Sequence, residues 1–155
     1  MSGMKFSTRT LYGLKAVLAL AGRFGEGSLA VSQIARQESI STPYLEQILN
    51  ALKKKGLVKS VRGPQGGYVL NRKPSEISLE DLFCALEGKK FFAIGGLPAV
   101  TSENTETTIA NFIFWKKFET LLQDGLSGVT VKELLDEARR LKKSKTSSLQ
   151  TTFHI

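Results

Sequence analysis

The middle of the chain places a group of hydrogen-bonding side chains just ahead of a group of cationic ones. The first group is Thr42, Tyr44, Glu46 and Gln47, and the second is Lys53, Lys54, Lys55, Lys59 and Arg62. Glu46 can accept a hydrogen bond from the amino group of cytosine, and Gln47 can pair with adenine. Lysine and arginine neutralise phosphates, which adds affinity without sequence information. Together the two groups predict a surface that contacts base edges and a nucleic-acid backbone.

The elements around these residues would present them to a major groove. Thr42 suits an N-cap and Pro43 a first helical position, which predicts a helix that ends at Gly56. The buried stripe of this helix would be Leu45, Ile48, Leu49 and Leu52. A shorter helix over 31–38 precedes it, and a tight polar break around Ile40 separates the two. Two short helices joined in this way place the second across the major groove.

The stretch "SVRGPQGGYVL" (60–70) predicts a β-hairpin with a glycine-rich tip. Three helices followed by a hairpin form a winged helix-turn-helix. Bare glycine backbone could approach the sugar-phosphate edge closely, and Arg62 could reach a phosphate or enter the minor groove. The glycines concerned are Gly63, Gly66 and Gly67. The alternative is a plain hairpin turn with a solvated Arg62, but the preceding helices and lysines favour the wing.

A first helix is predicted from residue 7 to residue 24. Ser7 is placed to cap its N-terminus and Gly25 to end it. One face of this helix would be apolar, through Leu11, Leu14, Leu18 and Ala21.

Further helices are predicted after the hairpin, and periodicity is lost between two of them. Capping boxes at Ser78–Asp81 and Thr130–Glu133 open helices to about Glu87 and Lys143. The predicted fold class is mainly α with a small β-hairpin (α+β). Its parts are a winged helix-turn-helix domain at 1–88, a loop at 89–107, a helical dimerisation region at 108–143 with a long helix over 108–124, and a flexible tail at 144–155.

Composition and charge limit the class of protein. The 155 residues suffice for one domain with a real core, or for a small domain plus an appendage. Residues 1–76 hold 12 Lys/Arg and 4 Asp/Glu, whereas residues 77–155 hold 10 of each, so the net charge of +8 falls in the first part. A nucleic-acid footprint has this distribution. No apolar run reaches the roughly 18 residues that span a membrane, and the N-terminus lacks a secretion-signal pattern. We therefore expect a cytoplasmic protein.

Three stretches resemble a known family. They are "MKFSTRTLYGLKAVLALA" (4–21), "YLEQILNALKKKGLVKSVRGPQGGYVL" (44–70) and "ISLEDLFCALEG" (77–88). They resemble the Rrf-two family, the BadM-type winged-helix regulators, densely up to residue 88 and more thinly beyond it. The resemblance implies a dimeric bacterial transcription factor, in most members a repressor. It matches Tyr44, Glu46 and Gln47 to the recognition helix, Arg62 to the wing arginine, and Ser7, Thr8 and Arg9 to a backbone-contacting N-terminus. Pro43 stands where some members carry a base-contacting serine, so that contact is not transferred.

Many members of this family hold an iron–sulfur cluster through three closely spaced cysteines, sometimes with a histidine. Residues 89–111 contain neither residue type, and cluster ligation needs several thiolates. We therefore expect no iron–sulfur cluster and no other cofactor or metal. Cys84, the one cysteine, is expected to be an inert core thiol. The alternative is a thiol-based redox sensor, which would require exposure and a low pKa. Residues 89–107 could line an effector pocket or serve as plain structure.

The C-terminus bears on the signal that such a regulator would receive. Cluster-free cysteine-metabolism repressors of the family act through a complex with the enzyme O-acetylserine sulfhydrylase. The tail "TTFHI" resembles the isoleucine-ended C-termini that this enzyme accepts. Ile155 would be the anchor beside the terminal carboxylate, with Phe153 or His154 as a flat side chain. The alternative is a disordered tail that happens to end in isoleucine.

The long helix over 108–124 is apolar around most of its circumference. The residues expected at a dimer interface are Ile109, Phe112, Ile113, Trp115, Phe118 and Leu122. Such a helix needs two partners, and we expect its own domain on one side and a symmetry mate on the other. The alternative is a core helix in a monomer. A dimer would set two recognition helices about one DNA turn (~34 Å) or a multiple apart, which predicts an inverted-repeat operator.

Two other classes of function remain to be compared. Catalysis needs a convergent set of titratable groups. Here the one histidine is the penultimate residue and the one cysteine lies among apolar neighbours, so we expect no enzyme. A protein–protein adaptor on a winged-helix scaffold is the other alternative. The basic first half and Arg62 argue against it.

Overall fold

The computed structural model describes residues 5–64, 66–89, 91–93, 95–97 and 99–144. The described residues form six α-helices, one short 3₁₀ turn (Pro74–Glu76) and one hairpin. In chain order the elements are α1 (Thr8–Gly22), α2 (Val31–Glu38), α3 (Thr42–Lys54), β1 (Val58–Val61), β2 (Gly67–Leu70), α4 (Leu79–Glu87), α5 (Glu106–Ser127) and α6 (Val131–Lys143). The mainly α fold with a small hairpin is confirmed. No helix within these ranges combines the length and apolar character that crossing a membrane requires.

The core lies between α1, α2 and α3 and is closed by the hairpin and α4. The stripe predicted for α3 is confirmed, because Leu45, Ile48, Leu49 and Leu52 are all buried. Ile34 from α2 and Val17 from α1 have no exposed surface at all. Fully burying such a side chain contributes about 1.5–3 kcal/mol, so α3 is firmly held and its opposite face is free for contact.

The apolar face predicted for α1 is wrong in part. Leu11 is 52% exposed, whereas the smaller Gly13 is buried. A Cβ at Gly13 would come within 2.4 Å of Leu86 in α4, so α4 packs directly on the α1 backbone there. Close helix packing selects the small residues, and it rotates the inward face away from the leucine spacing. The helix also ends at Gly22, two residues before the predicted end.

The turn between α2 and α3 is short and anchored in the core. Ser39 adopts a left-handed conformation (φ 56°) that ends α2, and Ile40 is buried. Ser41 is the N-cap of α3, so the assignment of Thr42 as the cap is wrong by one residue. Thr42 is instead in the first turn with Pro43, and its side chain is exposed. The helix-turn-helix geometry predicted for this region is confirmed.

The later helices begin where their caps predict. The Ser78 N–H donates to Asp81 Oδ2, and the Asp81 N–H donates to Ser78 Oγ, both at 3.0 Å. Thr130 Oγ1 accepts from the Glu133 N–H at 3.2 Å, and α6 runs to Lys143 as expected. The helix α5 is longer than predicted at both ends, because Thr105 caps it.

Candidate nucleic-acid interface

The outward face of α3 presents the polar side chains predicted for base contact. Thr42, Glu46 and Gln47 are exposed, while the residues between them face the core. Asn50 is exposed on the same face, one turn after Glu46, and the sequence argument missed it. The signal was present as the i, i+3 and i, i+4 spacing from Gln47 and Glu46. The face therefore offers a row of hydrogen-bonding groups about two turns long.

Tyr44 differs from its neighbours in this row. Its ring meets the ring of Tyr12 in α1 edge to face, with centroids 5.8 Å apart. It is half-buried and packs against the core. Tyr44 thus connects α3 to α1, which constrains how far its ring can reach towards a base.

The predicted phosphate-binding lysines fall into two groups. Lys53 Nζ donates to Ser60 Oγ at 3.0 Å, so this lysine connects the end of α3 to the hairpin. Lys54 and Lys59 are exposed. The exposed pair has the freedom to meet a phosphate, whereas Lys53 also has a structural contact.

The hairpin is attached to the chain that precedes α2. β1 and β2 pair antiparallel, with Val58 opposite Leu70 and Val61 opposite Gly67. The Leu29 N–H donates to the Tyr68 carbonyl at 3.0 Å, and the Tyr68 N–H donates to the Leu29 carbonyl at 2.9 Å. These two bonds hold the hairpin like a wing beside the helix-turn-helix.

The tip glycines are required mainly by the chain itself. A Cβ at Gly67 would lie 2.0 Å from the Leu29 carbonyl oxygen, and one at Gly66 would lie 2.6 Å from the Val61 carbonyl oxygen. Gly63 has φ +120°, a conformation that favours glycine, and no atom lies within 4 Å of a Cβ built there. Only Gly63 therefore fits the idea of bare backbone open to a neighbouring molecule. Arg62 beside it is exposed.

The start of α1 is tied to the end of α4. Ser7 Oγ donates to Glu87 Oε1 at 2.8 Å and the Ser7 N–H donates to the same oxygen at 3.3 Å. Thr10 Oγ1, which is buried, donates to that oxygen as well. The hydrogen bonds from Thr10 and Ser7 hold the pKa of Glu87 below its ordinary value. Thr8 and Arg9, the other residues predicted at this terminus, are exposed.

An aromatic cluster lies beside this contact. Phe6, the residue before the α1 cap, has its ring 5.4 Å from that of Phe83 in α4 and 5.9 Å from that of Phe91. Phe83 and Phe91 stack with ring centroids 5.5 Å apart, and Phe92 meets both edge to face. The chain that enters α1 therefore touches both α4 and the segment that follows it.

Cys84 is half-buried, so its assignment as a fully buried core thiol is only partly right. It lines a cavity of about 160 Å³ with Lys55, Arg72 and Lys89. Burial raises the pKa of the Cys84 thiol, and the carboxylates of Glu80 and Asp81 raise it further, against a smaller effect of Lys89. A raised pKa favours the protonated thiol, whereas a redox-sensing cysteine needs the thiolate.

The donor set of this chain does not suit a metal cluster. The residues that the structure describes contain no group of three or more histidine, cysteine or acidic side chains able to hold a metal ion. The whole sequence has one cysteine and one histidine. A cluster held by several thiolates does not fit these ligands.

One face of α5 is apolar and uncovered. Ile113, Phe114, Phe118 and Leu121 are exposed, with Phe114 at 59% and Leu121 at 71%. This face carries a groove of about 620 Å³. The other residues predicted at the interface, which are Ile109, Phe112, Trp115 and Leu122, are half-buried within the protomer. Phe114 and Leu121 were absent from the predicted set, although they are more exposed than any of its members.

The predicted tail residues cannot be compared with the structure. Phe153, His154 and Ile155 lie outside the described residues, which end at Ser144. Their role stays a prediction.

The arrangement defines a class of protein. A three-helix core presents a polar recognition helix, and a hairpin held beside that helix carries an exposed arginine at its tip. This is a winged-helix transcriptional regulator that binds DNA. The sequence profile of the Rrf2 family, described as iron-dependent transcriptional regulators, matches residues 6–137. The chain belongs to the Rrf2 family. The expectation that the protein is not an enzyme is confirmed, since its relatives are transcriptional regulators.

Two named regulators illustrate the similarity. The HTH-type regulator CymR of Bacillus subtilis is 45% identical over 85 residues, which are 55% of this chain and 62% of CymR. The chain thus spans less than two thirds of that relative's length in this match. The HTH-type regulator IscR of Aliivibrio salmonicida is 32% identical over 136 residues, 85% of this chain and 77% of that protein.

Solved structures extend the likeness to almost the whole chain. The structure of CymR, described as the global cysteine regulator of B. subtilis, superposes with a TM-score of 0.70 at 33% identity, over 87% of this chain and 98% of CymR. The structure of T. potens IscR superposes with a TM-score of 0.73 at 34% identity, over 95% of this chain and 97% of IscR.

Proposed function

We propose that the protein is a homodimeric, cluster-free repressor that binds an inverted-repeat operator and works in the cytoplasm. The observation that carries the DNA-binding part is the exposed row of Glu46, Gln47 and Asn50 beside the wing. Base contacts would come from this row. Phosphate contacts would come from Lys54, Lys59, the wing with Arg62 and Gly63, and the start of α1. Lys53, which already bonds to Ser60, would add charge to the same surface.

The uncovered face of α5 supports the homodimer. Large apolar side chains on one helix face of a monomer expose a surface that association would remove from water. A second copy of the chain offers the same face, and a two-fold axis through it gives a closed pair. The half-buried residues of α5 then connect the protomer core to the interface.

The cluster-free part rests on the chain's own ligands. Iron dependence belongs to the description of the family, whereas this chain has one cysteine, which lies on α4 ahead of the segment 89–111. We therefore place this protein with the members that take their signal in another way. The pKa of Cys84, raised by burial, argues against that thiol as the signal receiver.

The likeness to CymR supports a link to cysteine metabolism. The solved structure of that relative is described as the global cysteine regulator. By analogy, we propose that O-acetylserine sulfhydrylase is the partner and that the residues from Phe153 to Ile155 enter its active site. The terminal carboxylate and the apolar side chain of Ile155 suit capture by backbone donors in a pocket.

Deleting Ile155 should weaken the complex with the sulfhydrylase at least tenfold, because the anchor and the position of the carboxylate are both lost. Fluorescence polarisation of labelled full-length protein titrated with the enzyme would measure this. Ser147→Ala in the same polar tail is the control and should bind like the native chain. Equal binding by the native and shortened chains would contradict the tail as the contact.

Substitutions on α3 should separate base reading from phosphate binding. Gln47→Ala should reduce the preference for operator over scrambled DNA by about 1–3 kcal/mol, since a bidentate base contact is lost. Lys54→Ala should weaken binding to both duplexes alike and reduce the slope of log affinity against log salt by about 0.9. Fluorescence anisotropy on the protein's own upstream region, over a salt series, would measure both effects.

Lys142→Ala provides the control for these two variants, because Lys142 is an exposed cation on α6, outside the proposed interface. It should change neither the preference nor the slope by a similar amount. No DNA binding by the native protein at low salt would overturn the regulator and favour the adaptor. Equal binding to both duplexes would contradict an operator within the tested region.

A further inference from the structure

We propose that Glu87 is a positioning residue for DNA binding: its carboxylate fixes the start of α1 so that Thr8 and Arg9 face a phosphate. This inference rests on the proposed function, because it assigns Glu87 a role in a DNA contact. Glu87 itself would not touch DNA. It acts through the two residues that flank Thr8 and Arg9 in the sequence.

The first step is the hydrogen bonding of one carboxylate oxygen. Glu87 Oε1 accepts from the Ser7 N–H, the Ser7 hydroxyl and the Thr10 hydroxyl. Hydrogen bonds to a charged acceptor are stronger than bonds between neutral groups. Three of them converge from the first turn of a helix that lies about eighty residues earlier in the chain. This contact holds the beginning of α1 against the end of α4.

The second step concerns the residues between the two donors. Ser7 also caps the helix, since its Oγ accepts from the Thr10 N–H at 3.2 Å. Thr8 and Arg9 lie between Ser7 and Thr10, so both neighbours of this pair are held by Glu87. The donors of Ser7 are directed at the carboxylate, which leaves phosphate contact at this terminus to Thr8 and Arg9. Both of these side chains are exposed.

The third step is an independent attachment on the same side. Phe6 precedes Ser7 and contacts Phe83, which lies one helical turn before Glu87 on α4. Phe91, after α4, contacts both rings. The chain entering α1 is therefore held by apolar contacts on one side of Ser7 and by the carboxylate on the other. Both holds come from α4 and the segment that follows it.

The sign of the effect distinguishes positioning from plain electrostatics. A carboxylate near a bound phosphate repels it. Removing the charge of Glu87 would by itself strengthen DNA binding. Weaker binding after its removal therefore requires the loss of positioning. Glu80 on the same helix carries the same charge and makes none of the three bonds, so it serves as the matched control.

The test compares operator binding by E87A, E87Q and E80A over a salt series. We expect E87A to bind about tenfold more weakly than E80A, with a salt slope smaller by about 0.9 for the lost phosphate contact. E87Q should stay within about threefold of the native protein, because its amide oxygen accepts the same bonds. In the R9A background, E87A should have less than about a third of its effect, because the two residues act on one contact.

Thermal unfolding of each variant shows whether it is folded, and T10V supplies a second route if E87A is not. T10V keeps the shape of the side chain, removes one donor, and should also reduce the salt slope. Binding by E87A equal to or tighter than that of E80A would overturn the inference, as would additive effects of E87A and R9A. A native protein that fails to bind the operator would overturn the proposed function first, and that result is seen before any variant is compared.

Discussion

Replacing Phe114 and Leu121 with glutamate should convert the protein from a dimer to a monomer and lower operator affinity by about a hundredfold or more. Both side chains are largely exposed in the protomer, so charged residues there leave the core of each protomer intact. In a dimer the same positions would bury unpaired carboxylates, which is strongly unfavourable. A monomer then presents one recognition helix instead of two, and the gain from simultaneous engagement of both half-sites is lost.

Sedimentation velocity would show the change as a fall from twice 17.0 kDa to 17.0 kDa. Ala138→Glu provides the control, because it adds the same charge at an exposed position of α6. This control should remain dimeric and should keep most of its DNA affinity. A double glutamate variant that still sediments as a dimer would place the interface elsewhere. A native protein that sediments at 17.0 kDa would contradict the dimer itself.

Replacing Gly67 with alanine should displace the wing. The new Cβ would lie 2.0 Å from the Leu29 carbonyl oxygen and 2.8 Å from the Ala30 nitrogen, and both are backbone atoms that cannot rotate away. The two hydrogen bonds between Leu29 and Tyr68 would have to lengthen or break. We expect a loss of about 3 kcal/mol in the free energy of unfolding, the upper end of the usual cost of overpacking. Because Arg62 lies on the same wing, operator affinity should fall as well.

Chemical denaturation followed by circular dichroism would measure the stability change, and anisotropy would measure DNA affinity. Gly22→Ala is the matched control, since no atom lies within 4 Å of a Cβ at that helical position. Alanine there should leave stability unchanged or raise it by about 0.5–1 kcal/mol, because glycine is unfavourable in helices. Equal stability of the Gly67→Ala and native proteins would show that Leu29 does not lie against the hairpin.

Several elements could be predicted from the sequence because their signals are local. The buried stripe of α3 follows the helical period, and Ser78 with Asp81 forms the capping box that its spacing predicts. The hairpin follows from two β-favouring runs around a glycine-rich turn. The exposure of Glu46 and Gln47 follows from the same stripe, since the residues between the buried positions must face outward. The base-reading face and the wing were therefore determined by the sequence itself.

Other features depend on residues far apart in the chain, and only the tertiary structure decided them. Leu11 is exposed because Gly13 lets α4 pack against α1 through Leu86, which no periodicity in α1 reveals. Tyr44 is half-buried because Tyr12 packs against it.

The wing and the start of α1 show the same division. Gly67 reads as a hairpin glycine from the sequence, but the structure shows that the Leu29 backbone excludes any side chain there. The contact of Glu87 with Ser7 and Thr10 has no sequence signal, since a glutamate near a helix C-terminus resembles any solvated side chain. Local spacing determines which face of a helix is polar. The packing of distant elements determines which polar groups on that face remain free to bind.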